Sequence, residues 1–258
     1  MNLGTALGDA FDLRAALTEF SQVVVLDPRS AAAHYRKGRV LFDLRRLEEA
    51  RPELEAAARL APGDTSSLYL LALTEKHLHR PARSAELLRK VIELDAGDAD
   101  AHFLLGQDLL LLSLGADAIP HFEKAAELNP QKGDALSQLT QLAEKYRPQE
   151  AAAFRRRFEA FLQQQHIDTR AGTLAAFAQL SAASRDWPEA VARFKEAIQA
   201  CANCSIRGAL HRDLGLVYCR TGDLHNGARE LRLARNIDPG DAEVRKSLSL
   251  IEALDIPP

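Results

Sequence analysis

The chain has 258 residues, 47% of them hydrophobic and 27% charged, a composition that excludes a wholly disordered polypeptide and leaves material for a sizeable core. Its 33 Lys and Arg against 36 Asp and Glu give a formal charge of −3, so no chain-wide basic field draws it to nucleic acid. No apolar run approaches the roughly 20 residues of a membrane-crossing helix, and 3 cysteines cannot build a disulfide framework.

At the amino end, MNLGTALGDAFDLRAALTEF lacks a basic segment followed by a long apolar one, so no secretory leader is recognisable, which favours a cytoplasmic location. From Pro28 onward a repeat governs the pattern. The segments LDPRS, LAPGD, LDAGD and LNPQK place Pro28, Pro62, Ala96 and Pro130 at intervals of 34 residues. A fifth copy, IDPGD, places Pro239 another 109 residues on, three periods plus 7. Placing the surplus as insertions gives a partial unit at 1–30, units at 31–64, 65–98, 99–132, 133–170, 171–207 and 208–241, and a capping helix at 242–255. Leu3, Gly4 and Leu7 fall in first-helix slots, but the residues that should precede them are missing, so either the first helix is short or, as is expected, the chain is cut from a longer protein.

Each unit reads as two helices that pack on each other. Gly38, Gly106 and Gly215 share a slot, with Ala72 and Ala178 replacing them elsewhere, and a small residue there lets two helix backbones approach closely. The preceding slot holds Leu71, Leu105, Leu139, Phe177 and Leu214. In the second half Ala50, Ala118 and Ala190 recur, followed by Leu54, Phe122 and Phe194 and then Ala57, Ala125 and Ala197, an apolar stripe on one helix face. Pro closes most units, and Ser30, Asp64, Asp98 and Asp241 are placed to cap the helices that follow. The unit at 133–170 keeps an apolar face at Phe154, Phe158, Phe161 and Leu162 but little else of the pattern, which predicts a second helix of altered length or tilt. At the carboxyl end, Val244, Leu248, Ile251 and Leu254 form the inward face of the capping helix. No stretch alternates with period two, so no sheet is assigned.

These residues resemble the tetratricopeptide repeat family. The resemblance rests on the period, the small-residue slots, Phe122 and Phe194, and the closing prolines, and it runs along nearly the whole chain. One departure is plain: the slot where that family favours Trp holds His34, Leu68, His102, Leu136, Leu174 and His211. The resemblance implies an all-α fold, a single right-handed superhelical solenoid of stacked helix–turn–helix repeats, with the first helices lining a concave groove.

Catalytic signatures are missing: there is no P-loop, no Gly-rich dinucleotide fingerprint, no HExxH and no G-x-S-x-G. The chain is therefore read as non-enzymatic, with no cofactor and no metal. Cys201-Ala-Asn-Cys204 is first read as two small residues in a turn, with a local disulfide or redox-sensitive pair as the alternative. A zinc site shared with Cys219 is excluded, because that residue lies some 16 Å or more along a helix rising ~1.5 Å per residue. The run Arg155, Arg156 and Arg157 covers the polar side of an amphipathic helix and continues into no basic stripe.

The groove slots implied by the resemblance hold Tyr35, Tyr69 and Phe103, then Arg39, Gln107, Gln141 and Gln179, then Phe42, Lys76 and Leu110, with Arg212 and Arg220 in the last unit. Tyr35, Phe42, Tyr69, Phe103 and Leu110 read as an aromatic and apolar strip that anchors side chains of a partner. The three glutamines read as amides that hold a peptide backbone without reading its sequence. The dispersed basic residues do not support capture of an acidic carboxyl-terminal tail. The expected function is a scaffold binding a protein or peptide segment, with neither nucleic acid nor membrane insertion. The alternative is a substrate-recruiting segment of a larger enzyme whose catalytic domain lies elsewhere. Partner identity and oligomeric state are not written in these residues.

Overall fold

The computed structural model describes residues 13–201 and 203–253. The expectations for Leu3, Gly4, Leu7 and Leu254 lie outside the described residues. Among those described there are helices and turns and no strand. The helices are α1 (Leu13–Leu26), α2 (Ala31–Asp43), α3 (Leu47–Leu60), α4 (Thr65–His77), α5 (Pro81–Leu94), α6 (Ala99–Leu111) and α7 (Gly115–Leu128). They continue as α8 (Gly133–Tyr146), α9 (Pro148–Ala183), α10 (Trp187–Ala200), α11 (Arg207–Arg220), α12 (Leu224–Ile237) and α13 (Ala242–Glu252). The chain divides into two compact units, 1–158 and 159–258.

In the first unit consecutive helices from α1 to α8 pack on one another; in the second, consecutive helices from α10 to α13 do the same. The predicted caps start the expected helices. Ser30 accepts from the Ala33 amide, Asp64 from Ser66 and Ser67, Asp98 from Asp100 and Ala101, and Asp241 from Glu243 and Val244. The small-residue slot has the predicted physical cause. A Cβ on Gly106 would stand 2.8 Å from the Phe122 ring, and one on Gly215 2.8 Å from Leu231 Cγ, so only a bare Cα lets those helices touch. Ala50, Ala57, Ala118, Ala125, Ala190 and Ala197 are fully buried, as are Leu54, Phe122 and Phe194 of the same stripe.

The turn inside a helix pair follows one rule in five places. Arg45, His79, Ser113, Arg185 and Gly222 all hold left-handed backbone, φ between 58° and 84°. Each occupies the same place in its pair, and only one is glycine. That conformation ends the first helix and aims the chain back along its neighbour.

The second helix of 133–170 and the first helix of 171–207 depart from expectation. They are one helix, the 36 residues of α9, so the boundary expected between residues 170 and 171 falls inside it. The reason is local chemistry. Between Gln163 and Arg170 there is neither Pro nor Gly to stop a helix. Gln164 instead bonds Asp168 one turn on at 2.9 Å, and Thr169 bonds back to the Gln165 carbonyl at 2.8 Å. Phe177 carries the consequence. Its equivalents Leu71, Leu105, Leu139 and Leu214 are buried, but Phe177 is 56% exposed, because the chain just before it runs straight on and cannot return across it.

Candidate functional site: the first-helix faces

Side-by-side packing of first helices is what could turn separate slots into one surface. In the first unit the rings of Phe42 on α2 and His77 on α4 lie 5.5 Å apart. Lys76 Nζ on α4 then reaches Asp108 Oδ1 on α6 at 2.7 Å, and Asp108 is fully buried. In the second unit Gln179 on α9 donates to Asp213 on α11 at 3.0 Å, and Arg212 on α11 reaches Asp241, the cap of α13, at 3.2 Å.

These contacts sort the expected site residues. Tyr35, Phe42, Tyr69, Phe103 and Leu110 are all partly exposed on α2, α4 and α6 of the first unit. Tyr69 is the most perturbed: burial first, and the Asp100 and Asp98 carboxylates second, push its hydroxyl up to about 12, so it stays a hydrogen-bond donor throughout the physiological range. Phe103 is more committed. Its ring meets the buried Phe122 edge-on at 5.6 Å, and the Lys132 ammonium lies 4.7 Å from its centroid. Lys132 in turn pairs with Asp100. Arg39 is exposed on α2, Gln107 half-buried on α6 and Gln141 exposed on α8.

Three expected contact residues are already engaged. Lys76 neutralises a buried carboxylate, Gln179 spends its amide on Asp213, and Arg212 is held by Asp213 at 2.8 Å, Asp241 and Glu243. Arg220 is exposed and lines a 230 Å³ depression with Gln179, Asp213 and Leu216. Cys201 and Cys204 are joined by a disulfide and buried beside Phe194, Ala197 and Leu210, where the Arg207 guanidinium donates to the Cys201 carbonyl at 2.5 Å. Among the described residues no group of three or more His, Cys, Asp or Glu side chains converges on a metal position, and no helix is long and apolar enough to cross a membrane.

Two features escaped the sequence. A 630 Å³ hollow runs on the second-helix side between α3 and α5, lined by Arg59, Leu68, Arg83, Leu87, Lys90 and Leu94. The histidines in the family's Trp slot also have a shared partner position 19 residues on. His34 Nδ1 meets Glu53 at 2.7 Å, His102 Nδ1 meets His121 Nδ1 at 3.2 Å, and His211 Nδ1 meets Glu230 at 2.7 Å. Where the slot holds Leu68, its counterpart 19 residues on is Leu87, and both are buried; Leu136 and Leu174 have Arg155 and Arg193 at that spacing. Covariation of the two slots within one chain was the available signal.

A profile of the tetratricopeptide repeat family matches residues 1–65 and 69–133. The chain belongs to that family. Among curated proteins it is 30% identical over 112 residues to human sperm-associated antigen 1, a match covering 43% of this chain and 12% of that protein's length. Among solved structures it is similar to MamA, at 19% identity and a TM-score of 0.61 over 64% of this chain and 98% of that one. MamA MSR-1 C2 is similar at 21% identity and a TM-score of 0.56, over 64% and 95% respectively. Those two likenesses bear on the fold alone.

Proposed function

We propose that this protein is an interaction scaffold, and that the first-helix face of its first unit, carrying Tyr35, Arg39, Tyr69 and Gln107, binds an extended or helical segment of a protein partner. The observation that carries the reading is that tight pairings between successive first helices, Phe42 with His77 and Lys76 with Asp108, fix the spacing of the aromatic side chains before any partner arrives. Pre-organisation of this kind cuts the ordering cost of binding. Tyr35 and Tyr69 are the anchors: each is amphipathic, partly exposed, and engaged by no ring partner in this unit among the contacts described above. Arg39, Gln107 and Gln141 supply polar contacts beside them. Lys76 and Phe103 act as supports, since both are tied to neighbours.

The test is selection of binding peptides from a displayed library, followed by titration against the Tyr35→Ala/Tyr69→Ala variant. Loss of at least about 10-fold in affinity with an unchanged melting temperature supports the reading, because truncating anchor residues costs about 2 kcal/mol or more. Retained affinity overturns it.

A further inference from the structure

The slot pairing set out above has one odd member. At that position the helix pairs of the first and last full repeats place an imidazole against a carboxylate, and the α4–α5 pair has Leu68 and Leu87, both buried and both lining one hollow. Among the described residues only α6–α7 places two imidazoles together, His102 and His121, with Nδ1 atoms 3.2 Å apart and ring centroids 5.4 Å apart. We propose that this contact is a protonation-sensitive joint, holding α6 to α7 while both rings are neutral and loosening that helix pair in mild acid.

The argument begins with hydrogen counting. A bond between two Nδ1 atoms needs one to donate and the other to accept, so at least one ring must lack its Nδ1 proton. Once both rings are imidazolium, two N–H groups and two positive charges face each other across that gap and the bond is lost. His102 is only 7% exposed, so water cannot replace it there. The charged groups facing the pair do little to absorb the charge. Arg89 comes from α5 and Lys124 from α7, both cationic; Asp98, which already caps α6, and Asp117 on α7 are the acids. Burial is the main reason that both imidazoles sit below their ordinary value, and the neighbouring cations add to it.

The joint adjoins the proposed binding face. Phe103 and Phe122 follow His102 and His121 in sequence and meet edge-on at 5.6 Å, so separating the histidines also separates Phe103 from the ring that seats it. Acid is therefore expected to weaken partner binding. This consequence rests on the binding reading above, whereas the joint does not.

Hydrogen exchange of the full chain, read by peptide and corrected for the intrinsic effect of pH, separates the two. Between about pH 7 and about pH 5.5, α6 and α7 should lose protection severalfold, because a fold that holds an imidazole neutral loses stability once the pH falls below that group's unfolded value. The α4–α5 pair should hold. The His102→Leu/His121→Leu variant, which installs the Leu68/Leu87 arrangement, should abolish the acid loss. If that variant fails to fold, His121→Glu, which installs the His–Glu arrangement of the other pairs, should remove or reverse it. Unchanged protection in the wild type, or an equal loss in the folded variant, overturns the proposal. No partner is present in this measurement, so failure of the binding reading leaves its outcome intact.

Discussion

His211 and Glu230 lock the α11–α12 hairpin: Nδ1 of the one lies 2.7 Å from Oε2 of the other, and both side chains are 7% exposed. Removing one partner from a buried pair leaves the other unpaired. Glu230→Ala should therefore lower unfolding free energy by about 3 kcal/mol in urea titration.

The same pair has a pH signature. The bond from His211 holds the Glu230 carboxyl below the usual carboxylate range, more than burial raises it. A lowered acid contributes stability above its unfolded value and loses it as pH falls through its folded one. That contribution should be intact near neutrality and fade below about pH 4.3. Glu230→Gln should show a flatter decline of the urea midpoint over that range.

The turns offer a gain of stability. Arg45, His79, Ser113 and Arg185 hold left-handed backbone at φ 58° to 62°, where a Cβ is strained. Replacing His79 or Ser113 by Gly should relieve that strain by more than it loosens the unfolded chain, a net gain of about 0.5 kcal/mol per site. Thermal unfolding of the single variants checks it.

Gly172 tests the continuous helix. It sits inside α9 with nothing within 4 Å of where a Cβ would stand. Gly172→Ala should stabilise the protein by roughly 1 kcal/mol, the difference in helix propensity. A turn at 170–172 would give no such gain.

The disulfide between Cys201 and Cys204 closes a loop with a sequence separation of only 3. Such a short closure restrains the unfolded chain modestly, so reduction should cost the second unit about 2 kcal/mol, read as a shift in its unfolding midpoint with and without a dithiol reductant.

Much of the fold was legible because it is local and periodic. The capping acids, the glycine slot and the alanine stripe state their own structural reasons, and Asp64, Gly106 and Phe122 perform them. What was hidden is non-local or a matter of omission. The insertion between Pro130 and Pro239 could be counted, but placing it set a boundary at residues 170 and 171 that falls inside α9, because the missing stop between Gln163 and Arg170 joins two expected helices into one. Phe177, which shares its slot with four buried leucines, lies open for that reason. Left-handed turns were masked because Arg, His and Ser stood where glycine would have advertised them. Of the expected contact residues, Lys76, Gln179 and Arg212 looked free in sequence, since their partners Asp108, Asp213 and Asp241 lie in the next helix pair.

The most direct measurement of the binding claim is photo-crosslinking with benzoylphenylalanine placed at Tyr69 or at Lys90, the latter lining the hollow on the second-helix side. With a selected peptide bound, the account predicts adducts from position 69 and none from position 90. Adducts from position 90 alone would contradict it.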